Sequence, residues 1–350
     1  MNVYFDNIIF AIQKSGGISV RWKELLAYTH QVGNLLDIRY INYNHSADNI
    51  YYADTLKLLP EERIIKRKYF CFTRLIDLEV KERTMFIFFS SYYRVSSNAN
   101  AINVLTFHDC IQEFYGKGIK NKIAILIKKR VIKKSDYIIC NSYTTKHDLI
   151  KVYNYPEEKI SVIYSGVSPI FFKITNPLTK NKKILFIGSR APYKRFDFVI
   201  ELLKFNIELQ LTVVGGGTFT PKERLLIAPI QNRIEHLSDI DETKLNEIYN
   251  TAYCLMHSSS YEGFGVPIIE AMQSGCPVVA YKCPAAEEIA AGGVLFFNNY
   301  DVVEVTSLIN KLQDDNFRNA LIEQALNISK TFSWEKTGKE TINLLQQLSK

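Results

Sequence analysis

Short apolar runs rich in β-branched and aromatic residues alternate with longer helix-period patterns along this chain, and the series occurs twice. Strands that alternate with helices pair in parallel through crossovers, and a parallel sheet needs helices on both faces. The pattern therefore restricts the chain to an α/β fold with two such sheets. In the first half, strands are expected at 7–12, 38–41, 85–89, 103–106, 137–140 and 160–163, with helices around 20–29 and 142–153. In the second half, strands are expected at 183–187, 210–214, 234–237, 253–257, 278–280 and 294–296, separated by helices near 196–203, 242–250, 266–274 and 302–313. A single domain typically holds roughly 100 to 200 residues, so 350 residues suit two domains. The stretch 168–182 carries Pro169, Asn176 and Pro177 with little periodicity and reads as the connection between them. The expected division is 1–167, a linker 168–182, a second domain 183–330, and a C-terminal helix 331–350 that returns to the first domain.

Hydrophobic residues at 47% and charged residues at 23% give ordinary globular composition and argue against disorder. None of the six cysteines stands two residues from another, which argues against a zinc knuckle or a dithiol redox motif. They read as small buried hydrophobes in a reducing compartment. Asp6 and Gln13 interrupt the first apolar stretch, so no signal peptide is expected, and no run approaches the roughly 20 apolar residues of a membrane span. The expected location is the cytosol or, peripherally, the cytosolic face of the inner membrane.

The net charge of +7 is unevenly shared. Residues 1–167 hold 24 Lys and Arg against 16 Asp and Glu, whereas the remainder holds 19 against 20. Much of the excess lies in Arg63, Lys66, Arg67 and Lys68 and in the segment from Lys120 to Lys134. There Ile119, Ile123, Ile127 and Val131 recur every four residues, which predicts a helix with an apolar stripe and a basic opposite face. Such a face can be merely solvated, or it can meet an anionic bilayer or a nucleic acid. No nucleic-acid motif accompanies it, so an anionic membrane surface is the expected partner and nucleic acid is not.

The chemistry concentrates in HSSSYEGFGVPIIEAMQSGCPVVA, from His257 to Ala280. A strand precedes it, Gly263 and Gly265 open a loop, and Pro267 stands at the start of a helix. Backbone N–H groups at that helix start suit an anion or sugar hydroxyls. Glu262 on the loop and Glu270 within the helix can turn two carboxylates toward one ligand, each able to accept two hydroxyl hydrogen bonds. Upstream, Gly188 ends a strand and Arg190 and Lys194 follow in the loop, a basic pair suited to a departing diphosphate. In the first half, Gly16-Gly17-Ile18 precedes a helix, and His108-Asp109 ends a strand where α/β sheets bind ligands. Asp239-Ile240-Asp241 has the spacing of a metal-binding pair, but it precedes a helical pattern and Asp241 reads as an N-cap. Gly215–Gly217 follow a strand without the later glycine of a dinucleotide fingerprint, which argues against NAD.

These segments resemble the retaining glycosyltransferases of family 4, and the likeness runs from Gly16 to the FSWEK element at 332–336. Their E-x7-E signature matches Glu262, Gly263, Phe264, Gly265, Val266 and Glu270. The resemblance implies the GT-B fold, two Rossmann-like domains whose parallel sheets face across a deep cleft. It further implies that Glu262 and the amides of Gly263, Phe264, Gly265 and Val266 contact the donor sugar and phosphate, and that Glu270 binds the nucleotide ribose. Gly17 is implied near the donor phosphate, His108 near the transferred sugar, and Arg190 with Lys194 at the diphosphate. Family members commonly space that Arg and Lys five apart, whereas here they are four apart, so Lys194 and Arg195 are both candidates. The segment VIYSGV carries Ser165 where the family usually has Asn. The implied reaction is metal-independent and cofactor-free, with retention: a hexose moves from a UDP- or GDP-sugar to a glycan acceptor, as in lipid-linked polysaccharide or O-antigen assembly. A nucleotide-sugar epimerase or a sugar phosphorylase shares the fold, and a non-enzymatic nucleic-acid binder ranks last. Neither donor base nor sugar is legible.

Overall fold

The computed structural model describes residues 1–33, 35–69, 72–175 and 182–350; Cys71, Asn176 and Pro177 lie outside them. The chain forms two compact units, Met1–Gly166 with Ser333–Lys350, and Val167–Phe332.

The first unit holds β1 (Asn2–Asp6), β2 (Asp37–Tyr43), β3 (Ile64–Arg67), β4 (Phe86–Ser90), β5 (Ala101–Phe107), β6 (Tyr137–Cys140) and β7 (Ile160–Val162). They form one sheet in the order β3-β2-β1-β4-β5-β6-β7. Every pairing is parallel. The order reverses direction between β1 and β4, which opens a crevice beyond their carboxyl ends.

The expected strand 7–12 is corrected. The strand is β1, fully covered from Val3 to Asp6, and Ile9–Ile12 form a short helix. Apolar runs this short fit either state by periodicity alone. The chain leaves the sheet at Asn7, whose amide bonds Asn42 and accepts from the Trp22 indole. Asp6 is buried there against the Tyr43 and Ser90 hydroxyls and Arg94.

The second unit holds β8 (Lys183–Ile187), β9 (Gln210–Val214), β10 (Ile234–Leu237), β11 (Cys254–His257), β12 (Val278–Tyr281) and β13 (Leu295–Phe297). Their order is β10-β9-β8-β11-β12-β13, again with every pairing parallel. The reversal falls between β8 and β11. Phe198, Val199, Leu202 and Leu203 of the helix Phe196–Phe205 fill its core against Leu211, Val213 and Phe297.

The described part of the expected linker is not a free connection. Phe171 is buried edge-on against Tyr249, and the amides of Phe172 and Ile174 donate to the side chains of Asn246 and Asn250. These contacts make 168–174 a strap on the second unit. The C-terminal helix Trp334–Leu348 belongs to the first unit, where Ile342 and Leu345 share a core with Leu25 and Leu26 of the helix Gly17–Val32. A Cβ on Gly338 would stand 2.3 Å from the Tyr28 ring, so only glycine permits that approach.

Candidate active site

In the second unit, the loops after β8 and β11 meet at the point where the strand order reverses. Main-chain contacts stitch them together. The Ser260 amide donates to the Tyr193 carbonyl at 2.7 Å and the Ser258 hydroxyl to the Lys194 carbonyl at 2.7 Å. Lys194 is thereby aimed at Glu262, with Nζ 2.5 Å from Oε1. His257, at the end of β11, brings Nε2 to 3.3 Å from the same oxygen. The Lys194 and Glu262 side chains are only 12% and 10% exposed. Burial alone would raise the Glu262 pKa, but the Lys194 ammonium and His257 overrule it and hold the carboxyl at about 2. Burial likewise opposes the Lys194 charge, yet Glu262 keeps its pKa raised. The result is an ion pair, fully formed near neutral pH.

Past Glu262 the chain turns through Gly263 and Gly265 into the helix Val266–Gln273. Gly265 lies at φ +103°, and a Cβ there would meet Ile289 at 3.0 Å, so both backbone and space demand glycine. Phe264 is buried edge-on against Phe332, which anchors the loop while Val266 opens the helix. Glu270, one turn on, accepts a hydrogen bond from the Tyr249 hydroxyl at 2.8 Å. Burial raises its pKa to about 7 against that bond, so this second carboxyl changes charge near neutrality.

Arg190, the other residue expected at the diphosphate, is bonded to the Gly215–Thr218 loop and to the helix Pro221–Ile227. Its Nε donates to Glu223 at 2.8 Å, Nη1 to the Gly215 carbonyl at 3.1 Å, and Nη2 to the carbonyls of Gly217 and Thr218 at 2.9 and 3.0 Å. The guanidinium also lies 4.5 Å from the centre of the Phe219 ring. Gly215, Gly216 and Gly217, all at positive φ, wrap this group; a Cβ on Gly216 would fall 2.5 Å from Nη1. Arg195 turns elsewhere, stacking on Tyr300 at 3.9 Å and pairing with Asp197. Of the two candidate basic residues, Lys194 is the one at Glu262. Asp241 caps the helix Glu242–Thr251, accepting from the Lys244 amide at 2.7 Å.

In the first unit, Gly16 rather than Gly17 takes the conformation reserved for glycine, at φ +152°, and the short helix Ile9–Ile12 separates it from β1. Gly17 begins the helix Gly17–Val32 with open space where a side chain would stand. His108 follows β5 with its Nε2 buried and without a hydrogen-bond partner among the described residues. Burial first, then the charges of Arg21 and Lys128, lower its pKa to about 3, so the imidazole is neutral. Arg21 is itself buried and bonded to neutral oxygens, the Ser165 hydroxyl at 2.7 Å and the Ile163 carbonyl at 3.1 Å. Ser165, the departure noted in the sequence, is thus tied to the second turn of the glycine-started helix.

Sequence reasoning passed over His257, Tyr249, Glu223 and Arg21. His257 had a signal, because it ends a parallel strand as His108 does. The others sit inside helices in unremarkable contexts, and only tertiary packing reveals their partners.

Two parallel sheets with reversing strand order, one with an ion pair and a glycine-opened helix at its reversal point, define a protein of the doubly wound α/β class. Residues 15–170 match the family described as Glycosyltransferase Family 4, and residues 167–328 match Glycosyl transferases group 1. The chain is 28% identical over 214 residues to the O-antigen chain mannosyltransferase RfbU of Salmonella typhimurium, a match covering 60% of each protein. It is 24% identical over 270 residues to O-antigen chain mannosyltransferase B of Escherichia coli, covering 70% of each. Anabaena Alr3699/HepE, solved in complex with UDP-glucose, aligns with TM-score 0.75 and 18% identity over 99% of this chain and 100% of that one. The chain belongs to the family 4 glycosyltransferases and has their GT-B fold.

Proposed function

We propose that the protein transfers a hexose from a nucleoside-diphosphate sugar to a glycan acceptor, with retention of configuration and without a metal. The observation that carries this reading is the buried Lys194–Glu262–His257 cluster beside the glycine-opened start of the helix Val266–Gln273. A preorganised cation and helix N-terminus suit the charge that grows on a leaving diphosphate. In this mechanism the bond from the anomeric carbon to the diphosphate oxygen breaks, and its electrons leave with the diphosphate. Lys194 and the amides of Gly265 and Val266 receive that charge, while Glu262 and the amides of Gly263 and Phe264 hold the sugar. The acceptor hydroxyl attacks the same face and gives its proton to a leaving phosphate oxygen. Glu270 accepts the ribose hydroxyls, Arg190 shapes the Gly215–Thr218 loop, and in the first unit Gly17 and neutral His108 serve the phosphate and the transferred sugar.

The relatives named above support a hexose in bacterial surface-polysaccharide assembly, and hence a lipid-linked acceptor at the cytosolic face of the inner membrane. The test is a thermal-shift screen against UDP, GDP, ADP and their sugar conjugates. A ligand at 100 times its Kd adds about 2.7 kcal/mol of stability. One diphosphate should stabilise the protein, more at pH 8 than at pH 6 because ionised Glu270 is the better acceptor, and Glu270→Ala should abolish the effect. No shift with any diphosphate would overturn the reading.

A further inference from the structure

The helix Gly118–Lys134 contains seven Lys and Arg and no acidic residue. Its expected apolar stripe turns from solvent to core along the helix: Val131 is buried and Ile127 half-buried, but the first two members are exposed. Ile119 is 70% exposed and Ile123 49%, and Leu126 at 65% extends the same line. The inward face is made by Lys128, Val131 and Ile132, with Lys128 bonded to the Asp109 carbonyl and paired with Glu113. Steps of four, three and four residues put Ile119, Ile123, Leu126 and Arg130 on one outward stripe. Lys122, Lys129 and Lys133 line one flank of that stripe, with Lys120 and Lys134 on the other.

Arg130 and Lys134 are neutralised by Asp77, at 2.8 and 2.6 Å. Lys120, Lys122, Lys129 and Lys133 are exposed and form no ion pair among the described residues. A merely solvated basic helix would have no reason to present three large aliphatic side chains at its centre. A nucleic acid would match the lysines and leave those side chains in water. An apolar centre with cations on both flanks is the arrangement of a helix lying in the plane of a bilayer, its lysine heads reaching up to lipid phosphates.

We infer that this helix docks the first unit on an anionic lipid surface, with Ile119, Ile123 and Leu126 entering the acyl boundary and the four unpaired lysines meeting the headgroups. This names the partner of the first unit in the lipid-linked-acceptor reading and rests on that reading only for the purpose of docking. Through Lys128, the docked helix holds the backbone directly after His108.

The experiment uses the full chain and vesicles of phosphatidylglycerol with phosphatidylethanolamine, against vesicles of phosphatidylcholine. Wild-type protein should sediment with the anionic vesicles only. Replacing Lys120, Lys122, Lys129 and Lys133 with Gln should weaken that binding roughly tenfold or more. Leu126→Trp should add a fluorescence component that shifts to the blue on anionic vesicles and is quenched by brominated acyl chains. The diphosphate-induced thermal shift should be unchanged in both variants, so a failed donor reading and a failed docking proposal are told apart. Absence of vesicle binding, or binding that leaves the added fluorescence component of the Leu126→Trp variant unmoved, would overturn the proposal. So would duplex DNA bound more tightly than the anionic vesicles.

Discussion

At Glu262 and Lys194 one contact holds the fold and is proposed to serve the chemistry, and the two contributions separate by pH and by variant. The folded carboxyl titrates near 2, below its usual 4.5. Its contribution to stability is therefore complete above about pH 4.5 and is lost as the pH falls toward 2. Removing one partner strands the other charge in a buried place, which typically costs about 3–5 kcal/mol. Lys194→Met and Glu262→Gln should each lose most turnover and also lower the melting temperature at pH 7. The double variant Lys194→Met/Glu262→Gln should regain much of the stability and none of the turnover. Measuring both readouts on all three proteins decides the matter, because a purely structural pair would regain activity along with stability.

Among the elements, the Gly215–Thr218 loop shows where sequence reading stops. The strands of the second sheet were legible to within a residue, because each is a short apolar run bounded by polar turns. The E-x7-E loop and helix were legible too, since Gly265 and Pro267 mark a turn by their own chemistry. The destination of Arg190 was not, because a cation in a loop after a strand carries no record of which carbonyls it will meet. Exposure of Ile119 and Ile123 was hidden for a related reason: four-residue spacing predicts a stripe and not the direction it faces. The edge strand β3 was passed over because Ile64–Arg67 is half basic. With four of its five N–H donors committed to Glu223 and three carbonyls, Arg190 is proposed to act on a donor chiefly through the loop it organises. Glu223→Gln weakens one of those bonds and leaves Lys194 untouched. It should raise the donor KM severalfold with kcat nearly unchanged, whereas Lys194→Met should lower kcat. Steady-state kinetics at varied donor concentration separate the two, and an equal fall in kcat would assign Arg190 to the diphosphate itself.

Across the whole molecule, charge is divided between the units in a way that bears on metal dependence. The second unit, Val167–Phe332, holds 16 basic and 18 acidic residues, so the whole basic excess lies in the first unit. A nucleoside diphosphate bound by the second unit meets no general positive field there, so its charge must be met locally. Lys194 holds its ammonium within a buried site where Glu262 already balances it, and the start of the helix Val266–Gln273 adds about half a positive charge. In the proposed mechanism the Lys194 donor and that helix start take the place that a divalent cation holds in other phosphate-transferring sites. Asp241 caps the helix Glu242–Thr251 through Oδ1, and among the described residues no group of three His, Cys, Asp or Glu is placed to hold a metal ion. Turnover should therefore persist unchanged in excess EDTA and should not rise on adding magnesium or manganese. Complete loss in EDTA, restored by either ion, would mean that Lys194 and the helix start are insufficient.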